Sequence, residues 1–228
     1  MASSATPEDL QERIRTCRAC ESILKGRFVD AVDKTEPLQV RPIVGGALRA
    51  PVMLVGQAPG IREYRSGRLF QGRAGAGIRE IFARCGVSAE AFDSAVYQTS
   101  VTKCFPGRQL VARGAQTREQ DRAPTRAEIE NCMPFLRAQL RLVQPRVLVL
   151  LGASAIAAYE LLRGRRYSGD LERYVGRAED WDGIAVVFLP HTSGNSRWLN
   201  PSEAENRRLF AEAQRLLGAA LQSAGIGA

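Results

Sequence analysis

Five cysteines are spread unevenly along the 228 residues, Cys17 and Cys20 as a Cys-x-x-Cys pair and Cys85, Cys104 and Cys132 far downstream. In a reducing compartment such a set points to metal or cluster ligation rather than to a disulfide framework. The chain's one histidine, His191, directly follows an apolar run in Leu189-Pro-His-Thr-Ser-Gly-Asn195. An imidazole there can carry or release a proton near neutral pH. Two glycine-framed segments complete the reactive inventory: Gly56-Gln57-Ala58-Pro59-Gly60, and Gly67-Arg68-Leu-Phe70-Gln-Gly72-Arg73-Ala-Gly75. Their glycines let backbone approach a ligand closely and Phe70 offers a flat apolar face, which together suit a small planar molecule.

These groups need a scaffold that brings them together. Val52–Gly56, Val96–Val101, Arg146–Gly152 and Ile184–Pro190 are nearly continuous apolar runs, and helical patterns lie between them over Ala74–Cys85, from Thr125 and over Ser154–Leu162. Thr125-Arg-Ala-Glu128 reads as a capping box, and Asn200-Pro201-Ser202-Glu203 as the opening of a last helix. Apolar strands alternating with helices predict an α/β fold of three α/β/α layers around a mostly parallel four-stranded sheet. Ligands of such sheets bind beyond the carboxyl ends of the strands. Those ends carry Gln57, Ser100 with Thr102, Gly152 and His191. A lone histidine is more often structural, but this one faces Gln57 across the expected rim.

At the start, Thr6-Pro7-Glu8-Asp9 opens a helix along which Leu10, Ile14 and Cys17 recur, so Cys17 and Cys20 sit at or just past its end. Residues 25–51 read as a long connection with a turn at Gly45-Gly46. Residues 107–124 are polar and carry four arginines, a surface excursion that either touches phosphates or is merely solvated. One domain is expected, with disordered tails over 1–9 and 220–228 and an insertion loop over 107–124. Thirty-two Lys and Arg against 24 Asp and Glu give +8, compatible with a phosphate-rich partner and equally with a general bias toward arginine. No apolar run is long enough to cross a bilayer and the first residues lack a signal pattern, so a cytoplasmic, monomeric protein is expected.

Gly56-Gln-Ala-Pro-Gly60, Gly67-Arg-Leu-Phe70-x-Gly72-x-Ala-Gly75, Lys103-Cys-x-Pro106 and His191-x-Ser193, in this order, resemble the uracil-DNA glycosylase superfamily, nearest its iron-sulfur families 4 and 5. The resemblance covers roughly residues 10–215. It implies that Cys17, Cys20, Cys104 and Cys132 hold a structural [4Fe-4S] cluster, with zinc the other occupant of a four-cysteine set, and leaves Cys85 to the core. The 27 residues between Cys104 and Cys132 exceed the family's usual spacing. It also implies a monofunctional enzyme that removes uracil from DNA. Phe70 would stack on the extruded base, the amides near Gln57 and Ala58 would bond it, and Ser100 and Asn195 would complete the substrate contacts. His191 would donate to O2 as charge develops there. Arg68, Arg73, Ser193 and Arg197 would hold DNA, and Arg197 or Trp198 would fill the space left by the flipped base, unless Trp198 anchors the core.

The chain departs from the family where water is activated. Carboxylates that relatives keep in or after these motifs are replaced here by Gln57, Ala58 and Arg73. Glu63 is the nearest carboxylate and would contact the base or orient water, or else pair with Arg62 or Arg65. Gln57 with a backbone carbonyl is another way to position water. Ser100 stands where family 4 has an asparagine that reads the uracil edge. A damage sensor that binds uracil or abasic DNA with little turnover is the other reading. A nucleotide-binding enzyme is disfavoured because no P-loop or complete dinucleotide fingerprint occurs.

Overall fold

The computed structural model describes residues 6–192, 198 and 203–227. In chain order the elements are α1 (Pro7–Arg15), α2 (Glu21–Leu24), β1 (Val52–Gly56), α3 (Ile61–Ser66), α4 (Arg73–Arg84), α5 (Ala89–Ala95) and β2 (Val96–Ser100). There follow β3 (Arg108–Arg113), β4 (Gln116–Asp121), α6 (Arg126–Val143), β5 (Val147–Leu151), α7 (Ala153–Leu162), β6 (Ala178–Trp181), β7 (Ile184–Leu189) and α8 (Ala204–Ser223). Local chemistry explains several boundaries. The Thr6 hydroxyl accepts from Asp9 N–H while Asp9 accepts from Thr6 N–H, and Thr125 and Glu128 form the same reciprocal cap on α6.

The central sheet runs β2-β1-β5-β7-β6, the first four strands parallel. Alternation along each strand sends side chains to opposite faces. Val52 and Leu54 of β1 join Ile78 and Phe82 of α4, Phe92 of α5 and Leu217 of α8. Met53 and Val55 join Met133 and Leu136 of α6 and Ile156 and Tyr159 of α7. Apolar burial on both faces makes the three layers and explains why the strand sequences are continuously apolar. The chain leaves β1 toward β2 on one side, and β5 lies on the other. The crevice above the carboxyl ends of β1 and β5 is therefore the topological switch point.

Three expectations change. The sheet has a fifth strand, β6, antiparallel to β7 through a turn at Asp182 (φ 52°) and Gly183 (φ 83°). Residues 107–124 are not an irregular loop: β3 and β4 pair antiparallel from Arg108↔Asp121 to Arg113↔Gln116. The hairpin is tied down by Arg108, which pairs with Asp30 and Glu119, and by the Arg122–Glu128 ion pair at its exit. Of the expected tails, residues 7–9 belong to α1, and Leu221, Ala224 and Ile226 are buried in the core around α8; residues 1–5 and 228 lie outside the described residues. The opening of the last helix at Asn200 lies outside the described residues, and α8 runs from Ala204. In the long connection before β1 the only pairing is a bridge between Phe28 and Pro37. Among the described residues no helix is long and apolar enough to cross a membrane.

Leu221 is fully buried. Leu221→Ala is expected to lower stability by about 2–5 kcal/mol, read from the denaturation midpoint at unchanged slope. A disordered tail would leave the midpoint unmoved.

Candidate active site

A cleft of about 820 Å³ opens at the switch point, within the range of small-molecule sites. Its floor is the end of β1 and the loop 57–60, one wall is the 69–75 segment, and the opposite rim carries Ser154 and His191.

The two glycine-framed loops are held together by one carboxylate. Glu63, in α3, accepts Gly60 N–H at 3.0 Å through Oε2 and both Gln71 N–H and Gly72 N–H at 2.7 Å through Oε1. It is 9% exposed. Both its oxygens accept backbone N–H groups, so it ties the two loops together, and no ion pair of Glu63 with Arg62 or Arg65 is made among the described residues. Phe70 follows in a left-handed conformation (φ 53°), which a bulky residue rarely adopts. A Cβ on Gly75 would lie 1.9 Å from Phe70 O, so only glycine lets α4 start beneath the turned-back chain. Phe70 lines the cleft with its ring against Gly56 at the end of β1, an apolar wall for a planar ligand.

Gln57 and Ala58 both line the cleft. The Gln57 side chain is fixed by Ser154, whose Oγ donates to Gln57 Oε1 at 2.9 Å across the switch point. The Gln57 carbonyl accepts from Thr102 N–H at 3.2 Å. Ser100 is buried at the edge of the cleft, its Oγ donating to Thr102 O at 2.7 Å. His191 packs beside Gly152 after β7, half-buried, and burial lowers its pKa below the ordinary 6.5. Burial thus favours the uncharged imidazole, whose ring N–H can donate a hydrogen bond. Thr192 secures this loop, its hydroxyl donating to Ala74 O at 2.8 Å.

Arg73, first residue of α4, is exposed at the lip, whereas Arg68 is exposed but does not line the cleft. Trp198 is 3% exposed within the core cluster. That burial corrects its candidacy as a wedge: the indole anchors the core. Ser193, Asn195 and Arg197 lie outside the described residues. Sequence reasoning missed Ser154, which the Gly152-Ala-Ser step after an apolar strand could have signalled. It also missed the hairpin wall, from which Arg108, Glu119, Asp121 and Arg122 line the cleft.

Away from the cleft, Cys17, Cys20, Cys104 and Cys132 come to one small apolar cavity with Ile14, Val40, Pro42 and Phe135. Burial raises the pKa of the Cys20, Cys104 and Cys132 thiols. Asn131 Nδ2 donates toward Cys20 Sγ at 3.7 Å. Lys103, 1% exposed, lies between this cavity and the end of β2, donating to Thr99 Oγ1 at 3.1 Å and to Ser100 O. Burial brings its pKa down to about 8 against the opposing pull of Cys132 and Cys104. The donor set suits thiolate ligation of a cluster or of zinc. Among the described residues, however, no three such donors stand close enough together to hold a metal ion. Cys85 is elsewhere, packed against α8 with Sγ 3.7 Å from Gln214 O.

The fold and cleft define a class: a three-layer α/β protein whose switch-point cleft is lined by a backbone loop, an aromatic side chain and a half-buried imidazole. The chain belongs to the uracil DNA glycosylase superfamily, whose family model matches residues 43–218. It is 30% identical over 209 residues to a type-4 uracil-DNA glycosylase of Thermotoga maritima, covering 90% of this chain and 89% of that protein. It is 36% identical over 121 residues to a type-4 enzyme of Pyrobaculum aerophilum, a match spanning 53% of this chain and about half, 54%, of that protein. A type-5 uracil-DNA glycosylase of Mycobacterium bovis is 27% identical over 92% of this chain and 81% of its own.

Because His191 is the chain's only histidine, its titration can be followed without assignment by NMR. Its midpoint is expected below 6.5, the imidazole staying neutral as pH falls past that value. A midpoint at or above 6.5 would contradict the desolvated setting.

Proposed function

We propose that this enzyme hydrolyses the N-glycosidic bond of deoxyuridine in DNA, releasing uracil and leaving an abasic site for base excision repair. The observation that carries the reading is the convergence of Phe70, the 57–60 loop and His191 on one cleft at the switch point. Uracil extruded from the duplex would stack on Phe70 and bond the loop near Gln57 and Ala58. As the bond to the sugar breaks, negative charge builds on O2, and a neutral imidazole fixed beside it donates without first losing a proton. Such a donor stabilises the developing anion more than the bound base. Ser154 would hold the Gln57 amide in one orientation, and Arg73 at the lip would meet a flanking phosphate. Asn195, Ser193 and Arg197 keep their proposed contacts with base and DNA through the sequence resemblance alone.

Cys17, Cys20, Cys104 and Cys132 would hold a [4Fe-4S] cluster, zinc being the other occupant their chemistry admits. Its contribution would be to tie the amino-terminal segment, the residue after Lys103 and α6 into one unit, without acting on the base. Aerobically purified protein is expected to contain iron and acid-labile sulfide, and Cys104→Ala to lose both along with thermal stability. Stoichiometric zinc without iron would replace the cluster.

Incubation with uracil-containing and matched thymine-containing oligonucleotides, followed by alkali, tests the activity. Strand cleavage at uracil alone is expected, and tight binding without base release would leave a damage sensor. His191→Ala should slow excision by roughly 10²–10³-fold, as removal of one such donor does elsewhere, with duplex affinity little changed. An unchanged rate would remove the imidazole from the reaction.

A further inference from the structure

The cleft has no carboxylate on the 57–60 loop, yet three carboxylates line it: Glu63, Glu119 and Asp121. Two are spent. Glu63 gives both oxygens to backbone amides of its own loops. Glu119 accepts Ala31 N–H through Oε1 and Arg108 through Oε2, and its side chain is 17% exposed.

Asp121 differs. It is the last residue of β4, and its Oδ2 accepts Ile61 N–H at 3.1 Å, where the loop turns into α3. Its Oδ1 lies 3.4 Å from Arg108 Nε, but that nitrogen makes no hydrogen bond, so the contact is a charge pairing only. No hydrogen bond to Oδ1 is made among the described residues, and the side chain is 40% exposed. The approach depends on Gly60: a Cβ there would lie 2.6 Å from Asp121 Oδ2. The last glycine of the loop thus admits a carboxylate from outside it. Burial raises the carboxyl's pKa, against the pull of Ile61 N–H and Arg108, which strengthens it as a base while the nearby cation favours its charged form.

We propose that Asp121, carried to the cleft by the β3–β4 hairpin, is the catalytic carboxylate that orients the attacking water and takes its proton. The assignment rests on the glycosylase reading above. In the reaction the bond between sugar C1′ and uracil N1 breaks and its electron pair leaves on the base, whose O2 His191 stabilises. A water lone pair then forms the new C1′–O bond, and one water proton passes to Asp121 Oδ1. That proton returns to the departing uracil anion or to solvent, so water and deoxyuridine give an abasic hydroxyl and uracil. Arg108 and the Ile61 amide keep the carboxylate in place between turnovers.

Asp121→Asn separates this role from a structural one, because its amide oxygen can still accept Ile61 N–H while the base is lost. Single-turnover excision from a uracil oligonucleotide should fall by roughly 10²–10⁴-fold, with thermal midpoint and uracil-DNA affinity retained. Asp121→Ala should regain part of its rate in added formate, and Asp121→Glu should outperform Asp121→Asn. An active wild type with an equally active Asp121→Asn would overturn the assignment alone. A loss of rate matched by weaker DNA binding and lower thermal stability, with no formate rescue, would also overturn it in favour of a purely structural anchor. A wild type that releases no uracil would remove the glycosylase reading and this assignment with it.

Discussion

The site depends on Glu63. Three backbone amides from two loops converge on one nearly buried carboxylate. Each charge-assisted bond of this kind contributes about 1.5–3 kcal/mol, and removing the acceptor would strand amides that nothing else satisfies. The energetic asymmetry matters more than the sum. With Glu63 in place the loop after β1 and the loop before α4 have one mutual arrangement, and Phe70 is carried into its left-handed backbone conformation. The cost of that conformation, about 1–3 kcal/mol, is of the size one such bond can offset.

Around this clamp the site is built more from backbone than from side chains. Gly75 yields space to Phe70 O, Gln57 is oriented from across the switch point by Ser154, and Thr192 ties the histidine loop to the start of α4. Two of these ties join the end of a central strand to a helix, β1 to α7 through Gln57 and Ser154 and β7 to α4 through Thr192 and Ala74, so the cleft inherits the rigidity of a sheet packed on both faces. That rigidity is what a preorganised donor such as a neutral imidazole requires. Apart from Glu63, whose oxygens are held by backbone amides, the charged groups lining the cleft lie at the rim and the hairpin wall, beside the backbone amides, the Phe70 ring and the half-buried His191.

Much of this was legible where the determining forces are local or periodic. The four parallel strands announce themselves because burial on both faces demands unbroken apolar runs, as in Val147–Leu151. Thr125 and Glu128 mark their helix because a cap is written within four residues. β6 escaped notice because an edge strand needs no apolar face: Ala178-Glu-Asp-Trp181 alternates weakly, and only the Asp182-Gly183 pair advertises a hairpin. The β3–β4 hairpin escaped for a related reason, its residues being mostly exposed and its turn, at Gly114, unremarkable. Glu63 was noticed as a carboxylate but not as a clamp, since its partners at Gln71 and Gly72 are set by the path of the chain. Asp121 reaches Ile61 across 60 residues, a meeting no spacing rule encodes.

Side chains of the hairpin join the rest of the protein at a few points among the described residues: Arg108 to Asp30 and Glu119 to Ala31 N–H at its base, Asp121 to Ile61 at the cleft, and the buried Arg122–Glu128 pair at its exit. None of these is a strand of the central sheet. The wall can therefore lengthen, shorten or change its residues without disturbing the layers that hold the base-binding loops, because surface connections tolerate such changes at small entropic cost. In evolutionary terms the cleft consists of an inherited half and an exchangeable half, and descendants of this chain could alter how they treat the ligand by rewriting fourteen contiguous residues, 108–121.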